Sequence, residues 1–322
     1  MKVLFVGDNH IDGKTPQNRT DNYMEATLRK LQECMQIAED RKADAVVFLG
    51  DVFNHREVSP LARNGALKIL KSQSDGKAWS FPSYVVVGNH DIQSSHPLEN
   101  SSLGTLIEAG VLIKSDYEPS LGIAFGHFTN DLDNEIREGK LTTNSAIIWA
   151  CHASITDRPS RFSEHTILFD SVSVHPNNVL VICGHIHYPM EMIRDDGKWF
   201  VNPGAIGRMA ASKDNFERDL KVFWLEYELD GNIIDKRFIP LKSAENYKNI
   251  FRLEEIEVIK AEKKEVQEFI KKVSLIRAHN WNYTTLDDKL MALKSYGTEN
   301  KIHDKTIDIA MEAVRSVNEE QK

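Results

Sequence analysis

Residues 84–91 read Tyr84-Val85-Val86-Val87-Gly88-Asn89-His90-Asp91. A short apolar, β-branched run meets a glycine, an amide, an imidazole and a carboxylate. The apolar half is too short for a helix, and its lack of alternation marks a strand covered on both faces, as in a parallel sheet. An amide, an imidazole and a carboxylate in succession have little to do inside a core. They belong past the strand's carboxyl end, where α/β sheets gather their ligands.

The same grammar recurs along the chain. Lys2 to Val6 leads to Asp8-Asn9-His10, and Ala45 to Leu49 leads to Gly50-Asp51. Ala146 to Ala150 leads through Cys151 to His152, and Val179 to Ile182 leads to Gly184-His185-Ile186-His187. In the last motif, alternate residues of an extended segment place both imidazoles on one side. Taken singly, an Asp-x-His is commonly a capped loop and a Gly-Asp a turn. All of them in order, each after an apolar strand, form a metal-ligand pattern. The donors are carboxylates, an amide and imidazoles, without thiolates, which suits Mn²⁺, Fe²⁺ or Zn²⁺ better than Mg²⁺ or Ca²⁺. The glycines before Asp51, Asn89 and His185 are expected to let the backbone turn sharply there.

Helical patterns fill the intervals of the first half: Asp21 to Asp40, capped by Thr20 or Asp21, then Leu61 to Ser72 and Ser101 to Ala109. This strand–helix alternation implies a parallel sheet. The second half is richer in strands: Gly122 to Phe125, Trp199 to Val201, Lys221 to Glu228 and Lys236 to Leu241. The Asp230-Gly231 pair predicts a hairpin between the last two. The expected fold is α/β, two packed mixed β-sheets flanked by helices. Residues 1–243 form the catalytic domain of this reading. Residues 244–322 form a small α/β or helical appendage, with a strand at Leu253 to Ile259, an amphipathic helix at Glu262 to Ile276, and helices at Leu286 to Leu293 and Asp304 to Val317.

The 322 residues carry 40 Lys and Arg against 48 Asp and Glu, a net charge of −8, so the totals lack the basic footprint of a stand-alone nucleic-acid binder. The three cysteines, Cys34, Cys151 and Cys183, show no C-x-x-C spacing, which fits buried thiols in a reducing compartment. No apolar run reaches the roughly 20 residues of a membrane span. The expected location is the cytoplasm of a bacterium or of a phage-infected host, with no membrane association.

The ordered motifs resemble the calcineurin-like metallophosphoesterase superfamily across residues 1–210, whose fold is a four-layer αββα sandwich. The resemblance implies two divalent cations, Mn²⁺ first, with Fe²⁺ or Zn²⁺ as alternatives. Asp8, His10, Asp51 and His187 would hold one; Asp51, Asn89, His152 and His185 would hold the other, with Asp51 shared. Cations roughly 3.5–4 Å apart clamp a phosphate and activate a water for in-line attack. His90 would donate a hydrogen bond or proton to the phosphate or leaving oxygen. Asp91 would orient His90.

Within the superfamily, Gly50-Asp51-Val52-Phe53-Asn54-His55 lacks the Gly-Asp-x-Val-Asp-Arg-Gly of protein Ser/Thr phosphatases. The spacings are similar to those of the Mre11/SbcD nucleases, compact phage or bacterial forms included. That resemblance implies a Mn²⁺-dependent DNA exo- or endonuclease working with an SbcC/Rad50-like coiled-coil ATPase in DNA end processing, recombination and repair. Many such nucleases carry a His three residues after the bridging Asp, whereas this chain has Asn54 there and His55 beside it. Asn54, His55 and Arg208 are the candidate substrate contacts. Alternatives are a stand-alone phosphodiesterase or phosphatase for small molecules or RNA, and a subunit that mainly delivers DNA ends. The C-terminal helices could equally serve self-association as a homodimer. His127 reads as a loop or buried histidine. His165 and His175 read as surface residues. Trp281 and Tyr283 are candidate base-stacking or packing residues.

Overall fold

In the computed structural model the described residues are 1–92, 97–138, 146–157, 166–209, 215–216, 218–253, 286–299, 307, 308 and 311. The chain divides into two units, Met1–Phe251 and Arg252–Lys322.

The first unit holds two mixed sheets. One runs β13-β12-β1-β2-β3, with β1 at Lys2–Val6, β2 at Ala45–Phe48, β3 at Ser83–Val85, β12 at Lys221–Tyr227 and β13 at Ile233–Pro240. Its β1, β2 and β3 are parallel, and β12 and β13 add antiparallel. The other sheet runs β10-β11-β9-β6-β5-β4. Here β4 is Tyr117–Glu118, β5 Ile123–Gly126, β6 Ile148–His152, β9 Leu180–Gly184, β10 Met190–Ile193 and β11 Trp199–Asn202. Strands β5, β6, β9 and β11 are parallel, with antiparallel edges β4 and β10. A small pair, β7 (Ile155–Thr156) and β8 (Ile167–Leu168), stands apart.

Alternation along the strands assigns each side chain to a layer. Val3, Phe5, Val47 and Leu49 of the first sheet pack between the sheets with Ile123, Ile148, Ala150 and Ile182 of the second. The alternate residues Leu4, Val6, Val46 and Phe48 face Leu31, Met35, Ala62 and Ala66, which lie on α1 (Tyr23–Asp40) and α2 (Pro60–Lys71). On the far side, Trp149, Val181 and Cys183 pack with Leu132 and Ile136 of α4 (Leu132–Arg137). The layers are thus helix, sheet, sheet, helix, the architecture expected for a four-layer sandwich.

The caps differ in detail from the sequence reading. Asn22, not Thr20 or Asp21, caps α1, its side chain accepting the Glu25 N–H. Asp21 is drawn away by Arg19, whose Nε and Nη2 both donate to its carboxylate. Ser59 caps α2 and Ser101 caps α3 (Ser102–Glu108). The β12–β13 hairpin forms at Asp230-Gly231, with Gly231 at φ +94° and a register shift between Glu226 and Tyr227. After a short α5 (Tyr247–Ile250), the second unit contributes α6 (Leu286–Glu299), which covers the expected helix at 286–293. The expected strand at 253–259, except its first residue, and the helix at 262–276 lie outside the described residues, as do Trp281 and Tyr283 and most of 304–317. Among the described residues, no helix is long and apolar enough to cross a membrane.

Candidate metal centre

The five motifs converge from both sheets. Loops leaving β1, β2 and β3 deliver Asp8 and His10, Asp51, and Asn89 and His90; β6 ends at His152, and the loop leaving β9 delivers His185 and His187. Asp8, His10, Asp51 and His152 are buried, while His90, His185 and His187 are half-buried at the mouth.

Strain gathers at these loops. His10, Asp51 and His185 have φ of 47°, 47° and 80°, a region that costs side-chain-bearing residues about 1 kcal/mol or more. The turns are therefore made by the donor residues themselves, together with Gly50 at φ 99°. Gly88, by contrast, is a close-approach glycine: a Cβ there would lie 2.2 Å from Asp51 Oδ1 and 2.3 Å from Asp51 N. Tertiary bonds hold the strained loops. The Asp51 carbonyl accepts the N–H groups of Asn9 and His10, and Tyr23 of α1 donates its hydroxyl to the His10 carbonyl at 3.1 Å. The Asp8 carboxylate accepts the His185 N–H at 3.1 Å and so joins loops of the two sheets.

Among the described residues, three groups of donor atoms close up sufficiently to hold a cation: Asp8, His10 and His187; His10, Asp51 and His90; and Asp51, His152 and His185. Asp51 is common to two of them. Its Oδ2 lies 3.4 Å from His152 Nε2, 3.7 Å from His10 Nε2 and 4.0 Å from His90 Nε2. Across the site, His187 Nε2 is 2.9 Å from His10 Nε2 and 3.6 Å from Asp8 Oδ2.

The donor chemistry fits divalent cations. His152 Nδ1 lies 2.7 Å from the Leu49 carbonyl, so its proton sits there and Nε2 turns inward. That Nε2 and His185 Nδ1 both lie 2.9 Å from Asn89 Oδ1 and 3.3 Å from each other. Two imidazole nitrogens and an amide oxygen thus lie within 3.3 Å of one another, a donor set of the kind that a divalent cation takes. Burial, with repulsion from neighbouring imidazolium charge, lowers His185 to about 4. Burial likewise lowers His187 to about 4, with Arg218 adding to it, and holds His10 well below its ordinary value. These rings are neutral near pH 7, the form that binds metal. For His152 burial acts downward but is outweighed by Asp51 and Asp8, which push it up to about 10. Burial, reinforced by the Asp51 charge and opposed by His152, raises Asp8 to about 7. Asp51 is held low: burial opposes its charge, and His152, His10 and His90 outweigh it. The centre demands positive charge between Asp8 and Asp51, which cations would meet without protonating the rings.

A family model, the calcineurin-like phosphoesterase superfamily domain, matches residues 1–217. The chain belongs to that superfamily. Members of the calcineurin-like superfamily are metal-dependent hydrolases that typically use two divalent cations, in keeping with the donor groups above. Among solved structures, the chain is similar to a novel archaeal phosphodiesterase, with 16% identity over 75% of this chain and 100% of that one, TM-score 0.38. It is also similar to a Thermus thermophilus protein, with 12% identity over 75% of this chain and 99% of that one, TM-score 0.42.

Beside the calcineurin-like centre lies an open groove of about 480 Å³, lined by Asn54, His55, Arg56, Glu57, Asn89, His90 and Ile92. Asn54 and His55, expected as substrate contacts, are on its wall. Arg208 is not among its lining residues: its Nε and Nη2 donate to the carbonyls of Asn215 and Arg218 at 2.7 and 2.6 Å, and it is buried in that loop. An isolated Arg after a His motif gives no sign that backbone carbonyls will claim it. Asp91 also takes a different part from the one expected. Its carboxylate accepts the N–H groups of Gly88 and Phe53 and ties the second and third motif loops together. The ring of His90 is held instead by the Asn54 carbonyl, 2.7 Å from Nδ1.

Sequence reasoning missed Arg218, whose Nη1 and Nη2 donate to the carbonyls of Ala205 and Gly207. It braces the loop after Asn202-Pro203-Gly204, in which Ala205 N–H donates to the His187 carbonyl and Ile206 N–H to the Asp8 carbonyl. The Asn202 side chain reinforces that turn by bonding Gly204 N–H and the Ile186 carbonyl. His127 is structural: Nδ1 accepts the Val87 N–H at 3.1 Å and Nε2 donates to the Ser115 carbonyl at 3.0 Å. His175 accepts the Asn177 N–H through Nδ1, away from the centre; His165 lies outside the described residues.

Proposed function

We propose that this chain hydrolyses phosphodiesters in DNA with two cations, Mn²⁺ foremost, as the SbcD-like subunit of a complex with an SbcC/Rad50-like coiled-coil ATPase. The observation that carries the hydrolytic part is the place of Asp51, which joins His152 and His185 in one donor group and lies 3.7 Å from His10, itself grouped with Asp8 and His187. Asp8, His10, Asp51 and His187 would hold one cation; Asp51, Asn89, His152 and His185 the other. Bound there, two cations supply Lewis-acid polarisation of the phosphoryl group and a water activated near neutral pH.

The chain's own residues do the rest. His90, fixed at Nδ1 by the Asn54 carbonyl, presents Nε2 beside Asp51 at the edge of the groove, and in the protonated form it donates to a phosphoryl or leaving oxygen. Asp51 also accepts the His90 N–H at 2.9 Å, so the donor and the centre share one frame. A groove open to solvent along the Asn54–Glu57 loop leaves room for a polymer to continue past the scissile bond. The spacing of the motifs and the second unit support the nuclease reading over a phosphatase.

A specific observation favours a second reading. Arg56, the one cationic side chain among the described residues that line the groove, donates to Glu57 and to the Asn100 carbonyl, which leaves little free positive charge for a DNA backbone. That arrangement suits a small diester. The test is a turnover panel with Mn²⁺ on single-stranded, double-stranded and hairpin DNA beside bis(p-nitrophenyl) phosphate and a phosphomonoester. Cleavage of DNA that is lost in His90→Gln is the expected result. Hydrolysis of the small diester with every DNA left intact would transfer the assignment to the second reading.

A further inference from the structure

Two residues past His10, the chain buries a carboxylate that none of the donor groups uses. Asp12 is 6% exposed. Its Oδ1 accepts the Lys14 N–H at 3.1 Å, and its Oδ2 accepts the Asn54 side-chain amide at 2.8 Å. His55 Nε2 lies 3.5 Å from the same Oδ2. The Asn54 backbone is tied to the same segment, its N–H donating to the Ile11 carbonyl at 3.1 Å beside a parallel bridge of Ile11 with Phe53. The Asn54 carbonyl then accepts from His90 Nδ1 at 2.7 Å. A continuous set of bonds therefore runs from the Asp12 carboxylate, through Asn54, to the imidazole at the edge of the groove.

We propose that Asp12 is a positioning residue for His90, acting through Asn54. This rests on the hydrolytic role given to His90 above. Asn54 stands on the groove wall, and among the described residues its Oδ1 is buried without a partner, so Nδ2 is where its side chain is anchored. A bond to a carboxylate is shorter and stronger than one between neutral groups, which makes Asp12 a firm anchor. On its other side the His90 ring meets, among the described residues, an edge of His10, 4.9 Å between centroids, and Asp51 at 4.0 Å. Its aim is thus set largely at Nδ1. Loosening Asn54 lets the carbonyl shift and carries Nε2 off the line of the reacting oxygen. A displacement near 1 Å costs on the order of 10²-fold in rate.

The test uses the full-length chain as Asp12→Ala, Asp12→Asn, the exchanged pair Asp12→Asn with Asn54→Asp, and His90→Gln. Four quantities are measured: kcat and KM on bis(p-nitrophenyl) phosphate with Mn²⁺, Mn²⁺ affinity by calorimetry, Tm, and the His90 Nδ1–H resonance of metal-free, ¹⁵N-histidine-labelled protein, assigned by its loss in His90→Gln. For Asp12→Ala, kcat is expected to fall roughly 10- to 100-fold, with KM and Mn²⁺ affinity within about threefold of the parent. The Nδ1–H signal is expected to broaden or vanish. The exchanged pair restores donor and acceptor in reversed order and keeps the Lys14 bond, so it should recover most of kcat and the signal. If Asp12→Ala does not fold, Asp12→Asn against the exchanged pair gives the same comparison. An unchanged kcat, a persisting His90 signal, or a loss of kcat matched by loss of Mn²⁺ affinity would overturn the proposal. If the parent chain hydrolyses no diester at all, the functional reading fails, and the His90 resonance alone still decides whether Asp12 positions that ring.

Discussion

His90 and Asp51 divide the work at the scale of single residues. Asp51 lies among three imidazoles, whereas His90 has its Nδ1 satisfied and its Nε2 beside the groove. His90→Gln is therefore expected to lower kcat by roughly 10²–10⁴-fold, the usual contribution of a general acid or base. Mn²⁺ binding should stay intact, a separation that calorimetry beside steady-state kinetics would show. Loss of Mn²⁺ affinity in that variant would place His90 among the ligands instead. That these side chains would come together was legible because each follows an apolar strand. Asp12 and Arg218 were not, since their partners are tertiary: Asn54 lies 42 positions from Asp12, and Arg218 reaches the carbonyl of Ala205, 13 positions away. A polar residue in a loop gives no hint of which backbone or amide it will meet. Arg208 and Asp91 show the converse, polar residues near a motif that the fold spends on holding loops.

Loops and strand ends carry the next level. Gly88→Ala would place a methyl 2.2 Å from Asp51 Oδ1, with backbone close behind. Overpacking of this kind costs about 1–3 kcal/mol, and here relief must come from Asp51, which two of the three donor groups share. The expected outcome is a lowered Tm together with impaired binding of both cations; unchanged metal content would show that Asp51 tolerates the shift. His127 fastens the segment after β3 to the segment after β5, thus one sheet to the other. Burial, aided by Lys114, depresses it to about 4. An unfolded histidine binds a proton below about 6.5 and the folded one does not until about 4. The unfolded state therefore gains protons first, and stability falls as pH drops from about 6.5 toward 4, by on the order of 2–3 kcal/mol. Urea unfolding at pH 7.5 and pH 5 should show a smaller pH dependence in His127→Gln than in the parent; equal dependence would remove His127 from the account. Central strands were readable because both faces are apolar. The edges β4 and β10 were not: Tyr117–Glu118 has two residues and no period, and Met190–Ile193 is buried only at Met190. Helix α4 has just six residues, too few to reveal an apolar face.

For the whole molecule, the fold and the family follow from one pattern, five strand ends that meet. Because the centre is assembled from both sheets, cations that bind it stabilise the folded chain by mass action. At a free concentration 100 times the dissociation constant the gain is about 2.7 kcal/mol per site. Tm should therefore climb with Mn²⁺ in the parent and much less in Asp51→Asn; equal climbs would mean binding elsewhere. Every donor of the centre lies in the unit Met1–Phe251, so a chain ending at Phe251 is expected to keep hydrolysis of a small diester. In the proposed complex the same truncation abolishes association with the coiled-coil ATPase, read by co-purification, and retained association would assign that contact to the first unit.

The most direct measurement is anomalous diffraction from Mn²⁺-loaded crystals of the full chain. Two peaks are expected, roughly 3.5–4 Å apart, with an Asp51 oxygen touching both, Asp8, His10 and His187 around one and Asn89, His152 and His185 around the other. A single peak, or a pair that leaves Asp51 uncoordinated, would contradict the two-cation centre.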